Sequence, residues 1–246
     1  MSYFGGSRDR ARAPGRLGAR PGYVLPVALS RRVQDAWAEA AELVVPVRCA
    51  GCGAPGGALC ARCRQALRTP PVRTDPRVAT QVPVFALGPW QGPRRAAIVA
   101  AKEMRRRDVL PFLGAVLAAG LEWLEVRGEI TERVALVPAP TTVRAARARG
   151  GDIVTGVCAA SGRPTHQVLA KAAAVGDQVG RSAAARAVNA RTSVLVDPAA
   201  GALAARQTPV VVVDDVITTG ATVAHAVAVL QSAGVKVVGI VGLSCA

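Results

Sequence analysis

Residues 210–222 read Val-Val-Val-Val-Asp-Asp-Val-Ile-Thr-Thr-Gly-Ala-Thr, and this run limits the folds open to the chain more than any other. Four β-branched residues in a row leave no polar side to turn to water. That is the pattern of a strand covered on both faces, as in a parallel sheet between helices. Two carboxylates, Asp214 and Asp215, stand at its C-terminal end. Small and hydroxyl residues follow, then an Ala/Val-rich stretch of helical pattern. In open α/β sheets, ligands bind at the carboxyl ends of the strands. Backbone N–H groups and hydroxyls at a helix N-terminus form a natural phosphate cradle. Adjacent carboxylates accept hydrogen bonds from vicinal sugar hydroxyls. The run therefore suits a sugar phosphate. The plainer alternative is a strand, an acidic turn and a helix that hold no ligand.

A second constraint lies upstream. Cys49-Ala-Gly-Cys52 and Cys60-Ala-Arg-Cys63 form two CxxC knuckles separated by seven residues that include Pro55, Gly56 and Gly57. Each knuckle can place two thiolates on one metal. Four thiolates in tetrahedral array suit Zn2+ in a closed, structural site. Two redox pairs or an iron–sulfur cluster are the alternatives; a redox CxxC more usually stands singly beside a βαβ unit. Cys158 and Cys245 sit in apolar contexts and read as small core residues.

The chain has 246 residues, half of them apolar, which is enough to bury a substantial core. Net charge is +15, which favours polyanionic partners such as nucleic acid or phosphorylated metabolites. The charge is scattered, with no basic run of five and no aromatic–basic interleaving of the single-strand-binding kind. A solvated basic surface plus a phosphate site is the simpler reading. No apolar stretch is expected to reach transmembrane length, and no signal-type core precedes Pro26. A cytoplasmic location with reduced cysteines is expected.

In order, residues 1–24 are Gly-, Arg- and Pro-rich and read as a disordered basic arm, or as the product of a start placed too far upstream. Residues 25–68 read as a helix, at about 27–44, plus the cysteine module. Residues 69–81, with Pro70, Pro71 and Pro76, read as a linker. Residues 82–246 read as an α/β domain. Strands are expected at 82–87, 134–137, 167–169, 194–196 and 235–243, and helices at 94–107, 110–126, 153–160 and 221–232. The strand at 134–137 runs into Pro138-Ala139-Pro140, with Thr141, Arg144 and Arg149 following. A proline-stiffened turn with spaced arginines is apt for pyrophosphate. Residues 171–190, polar and rich in small residues, read either as a mobile lid carrying Gln178, Arg181 and Arg186 or as a plain surface helix. His225 reads as a helix-surface residue.

The 210–222 run resembles the phosphoribosyl-pyrophosphate signature of type I phosphoribosyltransferases. There the acidic pair grips the ribose hydroxyls and the threonine-glycine loop binds the 5-phosphate. The order of double CxxC module, linker, strand-Pro-x-Pro with arginines, polar segment and ribose-phosphate motif resembles the ComF family, which includes bacterial competence proteins and the GntX-like group. The resemblance covers residues from about 45 to the C-terminus. It implies a type I phosphoribosyltransferase-like sheet with an N-terminal zinc module held by Cys49, Cys52, Cys60 and Cys63. It implies Asp214 and Asp215 as the catalytic pair and Val216, Thr218, Thr219, Gly220, Ala221 and Thr222 as the 5-phosphate loop. Pro138, Pro140, Arg144 and Arg149-Gly150 match the pyrophosphate-loop region. Lys102 matches a lysine in the helix after the first strand, and Gln178, Arg186 and Asn189 match a later polar segment. The family usually continues Arg-Gly with an aromatic and Asn-Gln; here Gly151-Asp152-Ile153 stand there, and an acid so placed is expected to weaken anion affinity.

Three activities remain open on these grounds. One is binding of phosphoribosyl pyrophosphate with Mg2+ and transfer of phosphoribosyl to an acceptor. Another is a non-catalytic role in DNA uptake or processing, binding single-stranded DNA or a helicase-like partner. The third is a nucleotide-sensing regulator using the same loop.

Overall fold

The computed structural model describes residues 47–140, 152–171 and 194–246, all within one compact unit, Val45–Ala246. The arm at 1–24 and the helix expected at 27–44 lie outside the described residues. Along the chain come α1 (Ala61–Ala66), β1 (Val72–Arg73), β2 (Val84–Ala86), α2 (Gly92–Glu103), a 3₁₀ turn (Arg107–Val109) and α3 (Leu110–Val126). They are followed by β3 (Ala135–Pro138), α4 (Ile153–Ala160), β4 (Leu169–Lys171), β5 (Val194–Val196), α5 (Ala200–Ala205), β6 (Val210–Ile217), α6 (Ala221–Ser232) and β7 (Val237–Cys245).

Five strands form one sheet in the order β1-β2-β7-β6-β3. β2, β7, β6 and β3 are parallel, and β1 joins the edge antiparallel. The architecture is α/β, a mostly parallel mixed sheet flanked by helices. β4 and β5 make a separate antiparallel pair. Residues 69–81, read from sequence as a linker, contain β1.

The apolar run of β6 is explained by its cover. Val211 and Val213 join a core with Ile98, Leu113, Leu117, Leu121 and Val157 on one side of the sheet. Val210 and Val212 join a second core with Val223, Val227 and Leu230 of α6 on the other. Successive side chains on a strand alternate faces, so a strand buried on both has no polar position to offer until its cover ends.

Helices α3, α4 and α6 and strand β5 fall where their periodicity predicts. Helix α2 ends at Glu103 rather than 107, because Arg105 takes φ +55° and the chain tightens into the 3₁₀ turn. The expectation that no stretch reaches membrane-spanning length is corrected by Arg107–Val126, which has the length and a mean hydropathy of 1.6. Its leucines at 113, 117, 121 and 124 are nonetheless packed in the first core.

The cysteine module is fixed to the sheet by a buried guanidinium. Arg94 of α2 donates to Leu67 O at 2.9 Å, to Thr69 Oγ1 at 3.0 Å and to Leu243 O at 3.2 Å. Burial lowers its pKa to about 10, so it stays charged, with neutral oxygens as its recorded hydrogen-bond partners. Replacing it with methionine orphans those acceptors, and each buried orphan costs about 1–3 kcal/mol. Arg94→Met should therefore lower the urea midpoint clearly. Arg94→Lys should recover only part of the loss, since an ammonium cannot span both carbonyls as the guanidinium fork does.

Candidate functional site

The parallel register brings two chain segments to one end of the sheet. Pro138 of β3 pairs with Val213 of β6, and Ala139 N–H donates to Val213 O at 2.7 Å. Pro140 thus leaves the sheet beside Asp214. The pleat then separates the two carboxylates. Asp214 shares parity with Val210 and Val212 and belongs to the side of α6 and β4. Asp215 shares parity with Val211 and Val213 and belongs to the side of α2.

Each carboxylate meets a different environment. Lys102 Nζ of α2 donates to Asp215 Oδ2 at 2.5 Å, the lysine side chain 32% and the aspartate 14% exposed. Asp214 Oδ1 accepts from Asp215 N–H at 2.8 Å. Burial, reinforced by the adjacent Asp215 charge, raises the Asp214 pKa to about 7. The Asp215 N–H and the Lys102 and Lys171 ammonium groups oppose that rise.

The loop that follows is built for close approach. Thr218 and Thr219 are exposed, while Gly220 is buried at φ +78°. A Cβ on Gly220 would stand 2.5 Å from Pro76 Cβ. Val78 N–H donates to Thr219 O at 2.9 Å, so the chain between β1 and β2 straps the turn in place. Helix α6 begins at Ala221 with no side-chain cap, its N-cap being Gly220. Ala221 N–H makes only a long 3.4 Å contact to Thr219 Oγ1. A first helical turn without a capping side chain, beside threonine hydroxyls, offers donors and a positive dipole end to an anion. Chemically, one end of the sheet brings together two carboxylates, an ammonium and a helix N-terminus without a side-chain cap.

Of the residues expected at this site from sequence, Asp214, Asp215, Val216, Thr218, Thr219, Gly220, Ala221 and Thr222 are contiguous on β6, its turn and α6, and Pro140 lies alongside. Thr141, Arg144 and Arg149, and the lid candidates Gln178, Arg181 and Arg186, lie outside the described residues. Asp152 has a local role: its Oδ2 caps α4, accepting from Thr155 N–H at 3.2 Å and Thr155 Oγ1 at 2.8 Å. Sequence reasoning missed the Lys102–Asp215 pair and the strap at Pro76 and Val78. Lys102 at the end of an otherwise apolar helix face was the available signal for the first. Nothing local to Pro76 signals the second.

At the other end of the described chain, the sulfurs of Cys49, Cys52, Cys60 and Cys63 all lie within 4.8 Å of one another. Thiolates about 2.3 Å from one tetrahedral ion stand roughly 3.8 Å apart, and Cys52 Sγ and Cys60 Sγ are 3.7 Å apart. Burial alone would raise the Cys49 pKa, but N–H donors from Cys60, Gly51 and Cys52 outweigh it and hold the thiol at about 6. Burial and the neighbouring sulfurs push Cys63 up. Metal ligation needs thiolates, so a bound cation would draw the proton from Cys63. The set could hold a metal ion such as zinc.

Compared with known proteins, the chain matches no family model and no curated protein.

The Asp214 shift has a sign that can be measured. A carboxyl whose folded pKa stands above its unfolded value of about 3.9 binds its proton more tightly in the fold. Its stabilising contribution is complete at acid pH and is lost as pH rises towards about 7. Urea titrations between roughly pH 5.5 and 7.5 should show wild-type stability falling relative to Asp214→Asn. Parallel curves would show that Asp214 is an ordinary carboxylate.

Proposed function

We propose that the chain binds phosphoribosyl pyrophosphate, or a closely related ribose phosphate, with Mg2+ at the carboxyl ends of β3 and β6, in the manner of a type I phosphoribosyltransferase. The single observation that carries this reading is the conjunction at the end of β6. Two carboxylates on opposite faces are followed by a strapped glycine turn and a helix N-terminus without a side-chain cap. A ribose laid across the strand end offers its 2- and 3-hydroxyls to Asp214 and Asp215 and its 5-phosphate to the turn at 218–222. Mg2+ supplies neutralisation of the pyrophosphate charge. Lys102 occupies Asp215 Oδ2, so a ribose hydroxyl would meet the other carboxylate oxygen or displace the lysine.

Transfer would break the C1–O bond to pyrophosphate, which leaves with the electron pair, and form a bond from C1 to a nucleophile of the acceptor. The carboxylates would stabilise the positive charge that grows on the ribose ring. Pro140 and the Thr141, Arg144 and Arg149 segment are the proposed pyrophosphate side, and Gln178, Arg181 and Arg186 the proposed lid. In the same reading the cysteine set holds a structural zinc. All four sulfurs converge on one point, whereas two redox pairs need no such convergence and a multi-iron cluster spreads its thiolates farther apart.

Isothermal calorimetry with phosphoribosyl pyrophosphate should show magnesium-dependent binding to the intact protein. Asp215→Asn should weaken it at least about tenfold, as expected for a lost charge-assisted pair of hydrogen bonds. No heat with the metal-loaded wild type would refute the reading. Elemental analysis should find one zinc per chain; iron, or no metal, would overturn the zinc assignment.

A second reading rests on charge. Residues 47–107 hold eleven arginines and Lys102 against Asp75 and Glu103 alone. That asymmetry supports contact with single-stranded DNA or with a DNA-processing partner. Oligonucleotide anisotropy should then weaken steeply with salt as counterions are released; a flat or absent response removes it.

A further inference from the structure

We infer that the outer face of α3, together with α1 and the turn after it, is a docking surface for an acidic amphipathic helix of a partner protein. A surface helix is normally apolar along one stripe only. Here the apolar window within Arg107–Val126 is only 39% buried. The leucines take the core side, and the outer side carries Phe112, Ala115, Val116, Ala119 and Trp123. Their spacings of three, four and eleven residues put them on one line. They floor a groove of about 630 Å³, walled opposite by Arg64, Leu67, Arg68 and the Pro70-Pro71 turn.

Charge decides what fits. Two arginines line the groove and no acid does. The Arg64 guanidinium stands 5.6 Å from the Phe112 ring centre, and that of Arg127 stands 5.1 Å from the Trp123 ring centre. The stripe therefore has an aromatic ring with a cation over it at each end, three turns or about 16 Å apart. Glu122, seven residues after Ala115, borders the stripe, and the acids of α3 are drawn towards Arg163 on its far side. Glu125 makes a bidentate pair with Arg163 at 2.7 and 2.8 Å, and Glu122 acts on the same arginine. The complement of an apolar floor with cationic ends is an apolar stripe flanked by carboxylates. Ala115 and Ala119, between the rings, let a second helix approach at the short end of the roughly 8–10 Å interaxial range. Single-stranded nucleic acid fits less well. Base stacking needs open ring faces, and a guanidinium already covers a face of each half-buried ring over a floor of methyl and methylene groups.

The test uses the full-length, metal-loaded protein and a fluorescent probe peptide of about 18 residues, five turns of helix. The peptide carries leucines along one stripe and glutamates on both flanks. A sister peptide carries lysines in place of the glutamates, and an oligothymidylate serves as competitor. The glutamate peptide should bind, and the lysine peptide at least about tenfold more weakly. Ala119→Glu, at an exposed position, should weaken binding by at least about tenfold, as should the pair Arg64→Glu with Arg68→Glu. Unchanged metal content and thermal midpoint keep these variants interpretable. The inference is overturned if the glutamate peptide does not bind, if both peptides bind alike, or if Ala119→Glu has no effect. It is equally overturned if the oligonucleotide displaces the peptide. A dimer in sedimentation velocity that Ala119→Glu dissolves would assign the groove to a second copy and also overturn it.

Discussion

The burial of β6 on both faces is the constraint on which the rest depends. β6 pairs with β7 on one side and β3 on the other, and helices cover both of its surfaces. Valine at four successive positions satisfies that burial. Because the cover thins at Asp214, the first polar residues of the strand emerge together where the flanking strands β2 and β3 end, while β6 and β7 pair on to Ile217 and Cys245. The same pleat that alternates the valines between two cores sends Asp214 and Asp215 to opposite sides. The position of the acidic pair is thus a consequence of how the core is built.

The pair is held in unequal charge states by its surroundings. Lys102 pairs with Asp215, whereas Asp214 is half-buried and its pKa is raised by desolvation and the neighbouring carboxylate. A ligand cation or hydroxyl donors at the strand end would favour the anionic form of Asp214 and so lower its pKa. The Arg94 fork couples this end of the molecule to the cysteine module, since one guanidinium bonds the end of the module at Leu67 and the central strand β7 at Leu243. The same guanidinium thus ties the end of the cysteine module to the sheet through buried hydrogen bonds.

Much of this was legible in the sequence. The valine run, the helices at 110–126, 153–160 and 221–232 and the convergence of the four cysteines follow from periodicity and spacing, which are local properties. What was not legible involves residues distant in sequence. Lys102 meets Asp215 across 113 positions, and Pro76 meets Gly220 across the strap. Asp152 is the exception: the helix expected at 153–160 already made it an N-cap position, and its bonds to Thr155 fill that role.

The central claim is that the turn at 218–222 and the end of β6 cradle a ribose phosphate under the Pro76–Val78 strap. Hydrogen exchange with and without ribose 5-phosphate tests it most directly. The account predicts slowed exchange confined to peptides spanning 214–224 and 74–80. Unchanged exchange there, or protection appearing only around the cysteine knuckles, would contradict it.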